Sequence, residues 1–435
     1  MSHSPPPLPL ELLDSIVSLV DGEYDLTQLC LANKPLLHLA RRELYRHVIL
    51  EVDEKGVRTL RLCGSLTSAP HLARFVKRAT VQAWEIVGDG LGPGLQRTPV
   101  FISAWARAIH RALGALPNLK QLTLGPLLPD CTPHLLRSGL QLEDLGAAAI
   151  WATGEGMHLD TRWPQFLATQ TQLKRLALIR SEHPLHRLPQ DWTKPLDPAA
   201  FPALECLLGS ADLAYLVPGR KIHFYGSYDE ELHRWSLADQ RLLFDHLSLS
   251  TGPLRCLQLL VGTPLRLELL DLIAETLPDL VTLKVELDDL LGLTALPCHS
   301  TQPGTVEPPS FSSLVNLHFK MEFGPGQRDV HLPSCASDFS PLPGWLGARN
   351  PALRLVAFST LGSPDENGDD DTIRDLFYLR EVGKDGRDRN AWKAHEGLRN
   401  LSAGAFNGLD LKRYMMELAA AGSGLMSVGT RLVSY

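Results

Sequence analysis

The apolar positions of this chain follow two spacings, one suited to helices and one to strands. From Leu8 to Tyr45 they recur three and four residues apart. Leu12, Leu13, Ile16, Val17, Leu19 and Val20 predict a helix whose apolar surface is wider than one face. Pro9 suits its first turn, where a missing N–H costs nothing, and Asp21-Gly22 ends it. Asp25 is placed to cap a short second helix carrying Leu26, Leu29 and Cys30. Asn33 is placed to cap a third, with Pro35 tolerated in its first turn and Leu36, Leu37, Leu39, Ala40, Leu44 and Tyr45 along it. Val48-Ile49-Leu50 then switches to strand character. Three such helices make a very small core, the size that usually depends on disulfides, a metal or a partner. The surplus leucines therefore call for cover from another protein or from the neighbouring part of the chain.

Beyond residue 100 a second pattern recurs. LPNLKQLTL starts at Leu116, TQLKRLALI at Thr171, FPALECLLG at Phe201 and GPLRCLQLL at Gly252. LPDLVTLKV starts at Leu277, FSSLVNLHF at Phe311 and NPALRLVAF at Asn350. The shared template is Leu-x-x-Leu-x-Leu after a small or Pro-containing turn, with first leucines at 119, 173, 204, 254, 280, 314 and 353. Leu142-x-x-Leu145 and Lys221-Ile222-His223-Phe224-Tyr225 are degenerate candidates. Val57 to Leu62 fits the spacing too, and equally fits a helix. Helical patterns lie between the strands, at Phe101 to Leu116 and at Leu267 to Leu277. A strand that buries alternate leucines and returns as a helix cannot shelter its apolar face alone, so copies must stack. The expected fold class is α/β: a three-helix head over residues 5–47, then over 48–435 an irregular repeat solenoid with a parallel sheet on its concave face. The alternative is an open α/β domain with scattered leucine-rich strands. A capping segment starts near residue 364, with a hairpin pairing Leu376 to Leu379 against Ala391-Trp392 and a last helix from about Leu409 to Ala421.

Charge and cysteine content narrow the compartment and the partners. The formal charge of −7 gives no general attraction to nucleic acid or to an anionic membrane. Local basic clusters (Arg41, Arg42, Arg46; Arg74, Lys77, Arg78) have acids interspersed. The seven cysteines are scattered without a CxxC pair, which argues for a reducing compartment and against a disulfide framework. The N-terminus has no secretory pattern and no segment is long and apolar enough for a bilayer, so cytosol or nucleus is expected.

Little points to catalysis or to a cofactor. There is no GxSxG, Walker A or HExxH pattern. Cys131-x-x-His134 and Cys298-His299 lack the second half of a zinc site. Gly90-x-Gly92-x-Gly94 lacks the strand–turn–helix setting of a dinucleotide fingerprint. In PDENGDDD, Pro364 to Asp371, oxygen-bearing side chains alternate from Asp365. The sixth and twelfth places of a calcium loop, however, hold Asp370 and Leu376. No enzyme activity, metal or cofactor is expected.

The first helices resemble an F-box, of the form common in large fungal families. The matching residues are Leu8-Pro9-x-Glu11-Leu12 with Ile16, Asp25-Leu26, Leu29-Cys30-Leu31-Ala32-Asn33-Lys34, Leu39-Ala40-Arg41 and Leu44-Tyr45-Arg46. Leucines 36 and 37 stand where the animal-type pattern often has tryptophan. The repeat region and the LVPGR segment, Leu216 to Arg220, are similar to fungal F-box proteins with leucine-rich repeats. The resemblance implies docking to the adaptor Skp1, and through it to a cullin, with contacts at Leu8, Pro9, Leu12, Ile16, Leu29 and Leu36. It implies a substrate-recognition subunit of an SCF-type cullin–RING ubiquitin ligase whose solenoid holds an unidentified target protein. The competing expectation is a non-catalytic interaction scaffold with no ligase role.

Overall fold

The computed structural model describes residues 8–20, 22–51, 57–82, 99–124, 138–148, 162–179, 201–209, 214, 222–227, 235–261, 265–287, 307–322, 341–361, 374–382 and 388–396. The chain is α/β with mostly parallel strands and divides into two compact units, 1–262 with 268–280 and 263–267 with 281–435. The glycine-rich stretch 85–98, the insertion 181–199, the LVPGR segment, the loop 297–306, the acidic stretch 364–371 and the expected last helix lie outside the described residues.

The first unit opens with α1 (Leu10–Val17), α2 (Glu23–Ala32) and α3 (Lys34–Leu44). The next elements are β1 (His47–Glu51), α4 (Val57–Ser68), α5 (Pro70–Ala73), β2 (Arg78–Gln82), α6 (Pro99–Gly114), β3 (Gln121–Leu124) and β4 (Asp144–Ala148). The series continues with α7 (Arg162–Ala168), β5 (Arg175–Ile179), β6 (Cys206–Gly209), β7 (Phe224–Ser227), α8 (Leu237–Ser248), β8 (Cys256–Leu260) and α9 (Leu267–Thr276). Strands β1 to β8 lie side by side in chain order, each parallel to the next.

The Leu-x-x-Leu-x-Leu template explains the strand alternation. In β3, Leu122 and Leu124 are buried while Gln121 and Thr123 face the other way, half-buried. Leu119, three residues before Leu122, is buried as well, and Leu173, Leu204 and Leu254 repeat its role. Leu142 and Ile222 fill the same place in the degenerate copies. One copy escaped the pattern: Val76, Ala79 and Val81 are the buried residues of β2 and its lead-in, with smaller side chains where the template has leucine. Val57 to Leu62 resolves as the start of helix α4.

A hydrogen-bond ladder fixes the stacking. The carbonyl of the residue just before a strand accepts two N–H groups from the start of the next strand. Arg46 O accepts from Lys77 and Arg78 at 2.9 and 3.0 Å, and Lys77 O from Lys120 and Gln121 at 2.9 and 3.0 Å. Lys120, Glu143, Lys174, Glu205 and His223 continue the series. Where an apolar residue would sit three places before the first template leucine, Gln170 carries an amide instead. Its Oε1 accepts the Leu142 N–H at 2.9 Å and its Nε2 donates to Leu140 O at 3.0 Å. At Gly226 a side chain would collide with its neighbours: a Cβ there would lie 2.6 Å from Leu208 Cδ2 and 3.2 Å from the Phe224 ring.

The second unit carries β9 (Thr282–Leu287), β10 (Asn316–Glu322), α10 (Pro341–Gly347), β11 (Leu355–Leu361), β12 (Arg374–Val382) and β13 (Asp388–Glu396). Strands β9, β10 and β11 are parallel, and β12 and β13 continue the sheet antiparallel. The expected hairpin is the β12–β13 pair, but its register differs: Leu376 to Leu379 face Glu396 to Lys393, and Ala391 and Trp392 face Glu381 and Arg380. Phe319 stacks on Phe358 at 5.4 Å, and Phe358 meets Tyr378 edge-on at 5.9 Å. Asn350, equivalent in its repeat to Gln170, accepts the Phe311 N–H at 2.6 Å and donates to Pro309 and Leu346 carbonyls at 2.9 and 2.7 Å.

Candidate partner-binding surface

Helices α1, α2 and α3 share a small core in which Val17, Leu26, Leu39 and Ala40 are buried. Leu13, Val20, Leu29, Cys30, Leu36 and Leu44 pack partly buried around them. The chain enters α1 through Pro9, whose extended conformation and free carbonyl, accepting from Leu12 and Leu13 at 3.1 Å, start the first turn. The helix ends at Val17, earlier than the Asp21-Gly22 stop expected, and a tight turn carries Leu19 and Val20. Asp25 is not the cap of α2. Gly22 holds that position and Asp25 lies in the first turn, where its charge still favours the positive helix end. Asn33 caps α3 as its sequence suggests, its Oδ1 accepting the Leu36 N–H at 2.9 Å with Pro35 in the first turn.

This packing turns one face of α1 inward and leaves another uncovered. Leu13 and Val17 face α3, while Leu8, Leu12 and Ile16 are 55%, 51% and 51% exposed and Leu19 is 80% exposed. Leu12 and Ile16 are one turn apart, so they share a face; Leu8 precedes them and Leu19 extends them. Pro9 is exposed too. Leu29 and Leu36, the other two expected contacts, sit half-buried against the head's own core. Leu10, Tyr24 and Leu31 are exposed apolar residues of the same head that the contact set omits. The signal for Leu19 was its spacing of three from Ile16. Nothing in the spacing marks Tyr24 or Leu31 as outward.

Charged groups brace the head without entering its core. Arg42 on α3 bridges Asp14 on α1 and also reaches Glu43 at 3.0 Å; Arg46 joins Glu43 at 3.0 Å. The hydrogen bond to Asp14, against an opposing effect of burial, holds the Arg42 guanidinium above its ordinary pKa. Arg58 at the start of α4 meets Glu23 at the start of α2 at 3.1 Å, both well exposed.

A second set of charges lines the strand starts of the first unit. Lys120 and Lys174 both pair with Glu143, the latter at 3.4 Å, and the Lys120 hydrogen bond draws the Glu143 carboxyl below its ordinary pKa. Asp144 meets Arg175 at 2.7 Å. Its burial nevertheless prevails over the attraction of Arg175 and Arg78, and its pKa lies above the usual aspartate value.

No group of three His, Cys, Asp or Glu side chains is arranged to hold a metal among the described residues. No helix among them is long and apolar enough to cross a membrane. Cys131, His134, Cys298 and His299 lie outside the described residues. No protein-family model matches the chain, and no curated protein matches it in sequence.

Proposed function

We propose that the N-terminal helices are an F-box and that the chain is a substrate-recognition subunit of an SCF-type cullin–RING ubiquitin ligase. In this reading α1 docks on a Skp1-like adaptor, and the stacked strands are an irregular leucine-rich-repeat solenoid that holds a target protein. The work is done by proximity. Holding a target beside a charged ubiquitin-conjugating enzyme raises its effective concentration, and this chain supplies geometry without bond chemistry.

The observation that carries the reading is the outward apolar stripe of Leu8, Leu12 and Ile16, placed beside the face that packs on α3. Its size sets what the adaptor must do. Full burial of such side chains is worth 1.5–3 kcal/mol each, so covering these half-exposed groups and Leu19 gains roughly 4–7 kcal/mol. A micromolar complex needs about 8 kcal/mol net. The stripe alone falls short, so the adaptor must also cover Leu10, Tyr24 or Leu31, or the outer edges of Leu29 and Leu36.

The test is co-purification with Skp1. Leu12→Asp with Ile16→Asp places two charges in the stripe and is expected to abolish capture while the protein stays folded. Capture undiminished by both substitutions would overturn the assignment.

A further inference from the structure

Residues 34–78 carry ten lysines and arginines against four aspartates and glutamates, within a chain of formal charge −7. The fold gathers part of this excess, together with later residues, along one rim of the first unit's sheet. The carbonyl ladder sets Arg46, Lys77, Lys120, Glu143 and Lys174 side by side at the starts of β1 to β5. The pairing register aligns His47, Arg78, Gln121, Asp144 and Arg175 in the next row. With neighbouring strands ~4.8 Å apart, the five positions of each row span about 19 Å. The two rows hold six cations and two carboxylates.

The carboxylates are already engaged, Glu143 by Lys120 and Lys174 and Asp144 by Arg175. Arg46 pairs with Glu43. Lys77 and Arg78 are exposed and adjacent, and neither forms an ion pair among the described residues. Arg78 adds a longer-range attraction to the already paired Asp144.

We propose that this rim binds an acidic, carboxylate-rich segment of a partner protein, laid in extended form across the starts of β1 to β5, with Lys77 and Arg78 as its central contacts. A rim of about 19 Å matches roughly six extended residues at ~3.3 Å each. The occupant is a polypeptide and not a nucleic acid for three reasons. Glu143 and Asp144 interrupt both rows at the fourth strand, where an unbroken phosphate backbone would meet two like charges. Neither row contains a phenyl, phenol or indole ring for a base to stack on. The net negative charge of the whole chain repels a polyanion, whereas a mixed peptide can set a neutral or basic residue opposite the fourth strand. The inference goes beyond the adaptor reading and does not rest on it, since the stripe on α1 and the rim use different residues.

The test is fluorescence anisotropy of the full-length protein with a labelled Gly/Ser-flanked Glu-Glu-Glu-Ser-Glu-Glu peptide, whose serine can stand opposite the fourth strand, at low and at physiological ionic strength. Wild type is expected to bind, more weakly as salt rises. Lys77→Glu with Arg78→Glu is expected to weaken binding roughly tenfold or more, with unchanged circular dichroism, and Lys77→Ala with Arg78→Ala to a lesser extent. The Leu12→Asp, Ile16→Asp variant is expected to bind the peptide as wild type does, so that failure of either reading is visible by itself. If the charge-reversed protein does not fold, the alanine pair carries the comparison. The proposal is overturned by no binding at low salt, by equal binding of wild type and the alanine pair, or by tighter binding of an oligothymidylate of matched charge.

Discussion

The guanidinium of Arg42, on α3, donates a hydrogen bond to the carboxylate of Asp14, on α1. Asp14 lies about 100° around α1 from Leu13, on the flank away from Leu12 and Ile16, so this contact borders the packed face on the side remote from the outward stripe. Both side chains are about two-fifths exposed, and ion pairs of that kind contribute little by themselves. The rotation of α1 is set by the packing of Leu13 and Val17, and the ion pair closes over it.

That division makes two substitutions of neighbouring leucines differ sharply. Leu12→Asp is expected to change stability by less than about 1 kcal/mol, because its side chain is already half in water. Leu13→Asp puts a carboxylate against the small core and is expected to unfold the head. Hydrogen exchange of the amides from Leu10 to Leu44 distinguishes them: protection persists in the first variant and collapses in the second.

The buried amides bracing successive repeats are expected to be costly to remove. Asn350→Ala leaves the Phe311 N–H without its acceptor and removes the donor to Pro309 and Leu346. Each buried group left unsatisfied costs roughly 1–3 kcal/mol, so a loss of at least about 2 kcal/mol is expected. Urea denaturation followed by tryptophan fluorescence measures it. Gln170→Ala is expected to behave alike, through Leu142 and Leu140.

Asp144 gives a pH dependence with a definite sign. Its folded pKa is raised, so the folded state holds this proton more tightly than the unfolded chain. Its contribution to stability is therefore greatest below the ordinary aspartate pKa and is lost as pH rises through the raised one. Asp144→Asn, which imitates the protonated form, is expected to raise Tm at neutral pH. The difference from wild type should vanish as the pH falls below the ordinary aspartate value. Glu143 acts in the opposite sense, its pKa being lowered, so the comparison must be made between these two proteins and not from the wild-type profile alone.

The cysteines are expected to divide by reactivity. Burial pushes Cys63 up to about 11 and Cys206 up to about 12, while Cys30 and Cys256 are half-buried. At pH 8 a thiol of pKa 11 is ionised to only about one part in a thousand, so Cys63 and Cys206 should resist iodoacetamide in the native protein. Peptide mapping after brief labelling is expected to show modification at Cys30 and Cys256 ahead of Cys63 and Cys206.

The repeats were legible wherever leucine occupied the template, and harder to see where another residue did its work. Leu119, Leu173 and Leu254 announced their strands; Val76, Ala79 and Val81 did not, because shorter side chains satisfy the same burial without the leucine signature. At the head, Asn33 declared its cap because its carboxamide has a local partner three residues on. Asp25 did not deliver the cap expected of it, since α2 begins three residues sooner, at Glu23 behind Gly22. The basic clusters at Arg46 and at Lys77-Arg78 were visible as isolated pieces. Their union with Lys120 and Lys174 was not, because strand register alone makes neighbours of residues so far apart in the chain.

The sequence by itself determined that the head has helices, that leucine-led strands recur along the chain, and that the head holds more apolar surface than its own core can shelter. These follow from spacing along the chain, since a period of two or of 3.6 decides which neighbours share a face. Only the tertiary structure decided that Leu8, Leu12 and Ile16 are left in water while Leu29 and Leu36 turn toward the core, and that six cations meet on one rim. Which side of a helix faces inward, and which strand starts stand side by side, depend on how distant segments pack, and no local pattern carries that information.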